Sequence, residues 1–318
     1  MDNNHLNTVR NCIEDLSAGL KSESNLLKEH LKNDATKESI QVPENKIPSC
    51  FSIDKYLLKK LFKRTKSNSF NDIYTRLLVL DSTYSTQMTK RYYGIGELAE
   101  TIYLLSTRTE FRHNLEKFAE NPTEESRSSF KFNKKAMVLF IDRTNDSKRG
   151  VSNLFSEKYG INKNAEDKGL ALSLITKYAY FETQQCFPIF DSIANERAPL
   201  IWHYCVSDSQ PSLKKTDDII EYISNINKLK NLLGVSYDDL DCFLWHLGKL
   251  MRGNFSLIFS MEEYIHYKKR IKTYIPEDKD NNDKEFILKF LKSIYKSTKT
   301  KPYIKSTLNL AMKLLMLE

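Results

Sequence analysis

Residues 168–197 constrain this chain more than any other stretch. From 169 to 181 the sequence reads Gly169-Leu170-Ala171-Leu172-Ser173-Leu174-Ile175-Thr176-Lys177-Tyr178-Ala179-Tyr180-Phe181, apolar almost all round. A helix with no polar face has no side to give to water, so it has to be enclosed by other helices. Lys177 is the exception, a charge held inside the apolar run. A polar break at residues 182–185 then leads into Phe187-Pro188-Ile189-Phe190 and Asp191. Pro188 has no N–H to donate and cannot continue a helix, so this segment is an extended turn that delivers Asp191 to the start of the next helix. A carboxylate there caps free backbone N–H groups, near the end of the central helix. A buried lysine and a positioned acid, joined by a short rigid turn, form a candidate chemical pair.

An enclosed helix needs partners, and the composition supplies them. Gly (9) and Pro (8) are scarce in 318 residues, while Leu, Lys, Ile and Glu are common, which predicts an all-α chain. That length suits one large domain or two modest ones, with core enough to be stable without cross-links. Cys12, Cys50, Cys186, Cys205 and Cys242 are scattered with no Cys-x-x-Cys pair, which argues against a zinc site or an iron–sulfur cluster. Their odd count fits a reducing, cytoplasmic setting. The absence of a run of about 18 apolar residues argues against a membrane span. No basic-then-apolar segment opens the chain, so no secretory signal is expected.

The formal net charge is +8, and its location matters more than its size. Residues 267–318 hold 13 Lys and Arg against 6 Asp and Glu. Such a basic region is an electrostatic footprint for a polyanion, with nucleic acid the leading candidate; a solvated lysine-rich surface is the plainer alternative.

Three segments in order carry a resemblance. Ser173-Leu174-Ile175-Thr176-Lys177-Tyr178 followed by Phe187-Pro188-Ile189-Phe190-Asp191-Ser192 resembles the helix-hairpin-helix DNA glycosylases, and most closely the bacterial proteins related to 8-oxoguanine DNA glycosylase. Upstream, Leu77-Leu78-Val79-Leu80-Asp81 and then Tyr84-Ser85-Thr86-Gln87 with Lys90-Arg91 is similar to the family's apolar helix and the polar plug that fills the stack after a base has left. Gly94-Ile95-Gly96-Glu97-Leu98-Ala99 resembles the turn into the following helix. Downstream, residues 240–249, with Asp241, Phe243, Leu244, Trp245, Gly248 and Lys249, resemble the closing helix of the bacterial relatives.

The resemblance implies a helical glycosylase-like core at 49–250, flanked by a polar helical extension at 1–48 and a basic helical region at 251–318. It implies a flipped, modified or damaged base in double-stranded DNA as substrate, with no cofactor and no metal, in repair or anti-phage defence. Asp191 would stabilise positive charge developing on the sugar. The nucleophile would be water near Asp191 or the amine of Lys177, the latter adding lyase activity. Tyr84, Ser85, Gln87, Lys90, Arg91, Lys168 and Gly169 would contact DNA. The family's gripping hairpin reads Leu-Pro-Gly-x-Gly, whereas this chain has Asn164-Ala165-Glu166-Asp167-Lys168-Gly169, with one glycine and two acids. Lys168 lies near the family's usual nucleophile position without matching it. Two other readings stand beside this one: a DNA-binding protein of the same fold that has lost the chemistry, and a helical protein-interaction module. On the plain structural alternative, Asp191 is only a helix cap and Lys177 snorkels to the surface.

Elsewhere the periodicity predicts further helices. Leu16, Leu20, Leu26, Leu27 and Leu31 mark one or two near the start, followed by a loop at 33–48. Ser52-Ile53-Asp54 opens another, with Ile53, Leu57, Leu58, Leu61 and Phe62 facing inward and Lys55, Lys59, Lys63 and Lys66 on the other side, a solvated face or, as the less favoured alternative, a phosphate-facing ridge. Residues 136–141 are a buried helix or a strand, and Arg143, Lys148 and Arg149 lie in a polar turn. Helices are expected at 217–233, around Phe286 to Ile294, and at 308–317. His203 and His246, each beside a tryptophan, read as packing or hydrogen-bonding residues rather than catalytic ones.

Overall fold

The computed structural model describes residues 3–33, 48–64, 69–84, 94–105, 108–122, 158–159, 169–206, 211–255, 258–259, 263, 265–267, 284–297 and 300–317. Ser85, Gln87, Lys90, Arg91 and Lys168 lie outside them, as do the 136–141 run, the Arg143 turn and most of the hairpin-like segment.

The described chain is all-α apart from one short antiparallel pair. Its helices are α1 (Asn3–Asn33), α2 (Cys50–Arg64), α3 (Phe70–Tyr84), α4 (Ile95–Leu105), α5 (Arg108–Glu120), α6 (Leu172–Glu182), α7 (Ser192–Cys205), α8 (Ile219–Leu233), α9 (Tyr237–Met251), α10 (Lys284–Tyr295) and α11 (Pro302–Leu317). The pair joins β1 (Lys158–Tyr159) to β2 (Gly169–Leu170), with Tyr159 opposite Gly169. No described helix is long and apolar enough to cross a membrane.

Local chemistry sets the helix ends. Ser49 Oγ accepts from Ser52 N at 3.3 Å, so α2 starts two residues before the expected opening. Asp218 Oδ1 accepts from Ile220 N and Glu221 N at 2.8 and 2.9 Å, and Ser236 Oγ accepts from Asp239 N at 3.1 Å. Gly234, at φ 69°, closes α8 in the left-handed conformation that only glycine adopts freely. Pro302 stands at the first position of α11, where its missing N–H costs nothing, and the helix therefore begins six residues before the expected start.

The core encloses α6 as its apolar sequence demands. Every residue of that helix except Ser173 is buried, with α2, α3 and α5 against it. At the near end α1 is one continuous helix, lying against α11, α9, α2 and α7. Gly19 allows the closest α1–α11 approach, since a Cβ there would sit 2.1 Å from the Tyr303 ring. Gly248 does the same for α9 on α7, where a Cβ would be 2.1 Å from Ile193 Cγ2.

The expected inward face of α2 needs correction. The helix buries Phe51, Lys55, Tyr56, Leu58 and Phe62, while Leu57 is half exposed. Lys55 is inside rather than on a solvated face because Asp238 of α9 meets its ammonium at 2.5 Å. A charged partner from a distant helix thus rotates the face that apolar spacing alone selects.

Candidate active site

The turn after α6 is pinned from two sides. Thr176 Oγ1 donates to Leu172 O at 2.8 Å and accepts from Phe190 N at 3.0 Å, tying the turn back to its own helix. The Tyr222 hydroxyl of α8 donates to Ile189 O. The chain so held delivers Asp191 as the N-cap of α7, in extended backbone (φ −144°, ψ 167°), with Oδ1 accepting from Ala194 N at 2.7 Å. That is the expected cap. The second carboxylate oxygen makes no hydrogen bond among the described residues.

Lys177 is 4 % exposed, and its Nζ donates to Ser173 Oγ at 2.8 Å one turn earlier. The ammonium also lies 5.0 Å from the centre of the Tyr84 ring, at the end of α3. Burial lowers the lysine pKa below its ordinary value, opposed by the carboxylates of Asp191, Asp241 and Asp81 and reinforced by Lys249. Lys177 and Asp191 therefore share one electrostatic neighbourhood, and Lys177 does not reach bulk water.

The third member of the cluster is Asp241 of α9, which sequence reasoning passed over. Poor solvation pushes its pKa from 3.8 to about 7; Lys55 opposes this, Asp191 and Asp238 add to it, and Lys177 opposes it. It keeps a strip of accessible surface but lies among protein atoms deep enough to favour the neutral acid. Two α9 neighbours complete the polar face. Lys249 has its pKa lowered by burial, against the pull of Asp191. Asp238 is held well below the carboxylate range: burial works against this, and Lys55 and Lys59 outweigh it. Asp238, Asp241, Trp245 and Lys249 follow each other at three- and four-residue steps along one helix face, with Cys242 next to Asp241. That spacing, in a run already resembling the family's closing helix, was the available signal.

Lys55 sits at the edge of this cluster, 2.7 Å from Cys242 Sγ as well as against Asp238. The Cys242 thiol is itself pushed up to about 12 by burial, so it is neutral and Asp238 is the true counter-charge. The Tyr180 hydroxyl also donates to Asp238. His246 is buried against Phe51 and Trp245, and burial lowers its pKa to about 4, leaving a neutral packing residue. His203 is exposed. No group of His, Cys, Asp and Glu among the described residues could hold a metal ion.

No family model, curated protein or solved structure matches this chain. Chemical inference therefore rests on the cluster itself. Of the residues singled out in the sequence, Lys177, Asp191 and Tyr84 converge; Gly169 lies in β2, two residues before the N-cap of α6. The convergence puts together a lysine biased toward its neutral amine, a fixed carboxylate with an open oxygen, and an acid that holds its proton near neutral pH. Such opposed shifts in one place are the pattern of acid–base or nucleophilic chemistry.

Proposed function

We propose that this chain is a DNA N-glycosylase of the helix-hairpin-helix kind, acting on a modified or damaged base extruded from the duplex. The observation that carries the reading is the meeting of Lys177, Asp191 and Asp241 where the Pro188 turn leaves α6. Rupture of an N-glycosidic bond builds oxocarbenium character on the sugar, and the Asp191 carboxylate, fixed by its cap hydrogen bond, is suited to stabilise it. The Lys177 amine attacks C1′ as the bond to the base breaks. The departing base takes the proton that Asp241 carries. The resulting secondary ammonium at Lys177 loses a proton to the Asp241 carboxylate, and Asp241 hands that proton to O4′ as the C1′–O4′ bond breaks, so the opened sugar is held as a protonated Schiff base. Tyr84, over the Lys177 ammonium, shields the amine from water.

The test is incubation with duplexes bearing different modified bases, followed by alkali to reveal abasic sites and by borohydride to trap a Schiff base. Base release with trapping at Lys177 is the expected result. Release without trapping assigns attack to water; trapping at Lys168 overturns the nucleophile assignment. A second reading, a DNA-binding protein of this fold without chemistry, draws on the glycine-poor residues 164–169 and is separated by tight duplex binding with no abasic product.

A further inference from the structure

A cavity of about 330 Å³ opens where the end of α6 meets α2 and the start of α5. Four cationic side chains face it, Lys59 and Lys63 from α2 and Arg108 and Arg112 from α5. Gln184 and Gln185 complete the polar wall, and no carboxylate lines it among the described residues. The acids paired with its lining cations are already oversubscribed. Glu182 is shared by Arg76, Arg108 and Arg112, and Asp238 is shared by Lys55 and Lys59. The cavity is therefore a well of positive potential.

Arg112 has donors to spare. Among the described residues its only ion pair is Nη2 to Glu182 at 3.3 Å, a long contact, and its Nε is buried with no hydrogen-bond partner. A guanidinium carries five N–H donors, and a buried donor left unmade is costly. Lys63 is exposed at the last turn of α2 beside it.

We infer that this cavity binds a phosphate group, held by Arg112 and Lys63 with Lys59 and the two glutamine amides in support. Lys55, Lys59 and Lys63 recur every four residues along α2, a span of about 12 Å. They lead from the edge of the Lys177–Asp191–Asp241 cluster to the cavity. The favoured source of the phosphate is thus the backbone of the strand engaged at that cluster, which rests on the glycosylase reading. A free phosphate has the same chemistry and is the other source.

The full chain, Arg112→Gln and Lys63→Gln are compared in two arms. In the first, affinity for an undamaged duplex is followed by fluorescence anisotropy between 50 and 200 mM salt, a range set by the size of the counterion effect. Loss of one backbone contact lowers the slope of log K against log salt by about one, so the variant's affinity falls about 3- to 4-fold less over that range. In the second arm, melting is compared in inorganic phosphate and in chloride of equal ionic strength. A flattened slope in either variant supports backbone binding. An unchanged slope with a phosphate-induced rise in melting temperature that Arg112→Gln loses supports a free phosphate. Variants that are folded and match the wild type in both arms overturn the inference. If the wild-type chain binds no DNA, the glycosylase reading fails by itself, and the phosphate arm decides the pocket alone. Should Arg112→Gln not fold, Lys63→Gln, on the surface, still decides.

Discussion

Glu182, the last residue of α6, and Asp241 of α9 are carboxylates in opposite circumstances. Glu182, 1 % exposed, is met by Arg76 at 2.8 Å, by Arg108 through two nitrogens and by Arg112 at 3.3 Å. Asp241 forms no ion pair among the described residues and is driven toward its neutral acid by burial and by two other carboxylates. The first arrangement joins α3, α5 and α6 and leaves the carboxylate oxygens fully engaged by guanidinium groups. The second leaves a proton near neutral pH beside a lysine that burial urges to give one up. Saturated charge builds the frame, and unsaturated charge is where chemistry is available.

The comparison breaks most visibly at Glu182. Replacing it with Gln keeps the shape but leaves Arg76, fully buried and with Nη2 already unpartnered among the described residues, without its counter-charge. Unfolding in urea should show a loss of about 3–5 kcal/mol. A loss below about 1 kcal/mol, as for an exposed pair, means that the three arginines do not depend on Glu182.

Asp191→Asn is the matching experiment in the other cluster. Asn caps a helix as well as Asp, so stability should move by no more than about 0.5 kcal/mol. Base release should fall by about 10²–10³-fold because the negative charge is gone, while duplex binding persists. Release within about tenfold of wild type, a barrier change of only ~1.4 kcal/mol, rules Asp191 out as the stabilising charge.

Asp241 sets a pH dependence of defined sign. Its folded pKa, about 7, is raised above the ordinary 3.8, so the folded state holds the proton more tightly between those values. Its contribution to stability is fully present below about pH 4 and is lost as pH rises through about 7. Base release should decline over the same alkaline limb, because the proton for the leaving base is gone. Asp241→Asn should flatten the stability profile between pH 4 and 7 and lose the alkaline limb of whatever activity remains. A stability profile with the same slope in both proteins removes Asp241 from this role.

What was readable in the sequence follows distance along the chain. The enclosed α6, the Pro188 turn and the Asp191 cap depend on neighbours a few residues away, and they were expected as found. The burial of Lys55 depends on Asp238 and Cys242, the latter 187 residues on, and periodicity within α2 pointed the other way. The tie from α1 to α11 is a buried ion pair between Glu23 and Lys301 at 2.5 Å, 278 residues apart, and neither residue stands out in its own segment. Asp241 was passed over for a similar reason: its shift arises from burial and from groups on α2, α6 and the Asp191 turn, with only Asp238 near it in sequence.

A small effect on stability, and the sharpest contrast with Glu182, is expected at Lys177. Its ammonium is buried with one hydroxyl partner, and burial already disfavours its charge. Lys177→Met fills similar space with an unbranched apolar chain, so the desolvation penalty disappears while Asp191 and Asp241 lose an opposing charge. These effects have opposite sign, and the net change should lie within about 1 kcal/mol of wild type in urea denaturation. Asp241, relieved of one lysine, should hold its proton to higher pH, extending its neutral range upward. Schiff-base trapping should vanish in the same protein. A variant that unfolds as badly as Glu182→Gln would show that Lys177 is held by pairing after all, and the division between the two clusters would fail at that residue.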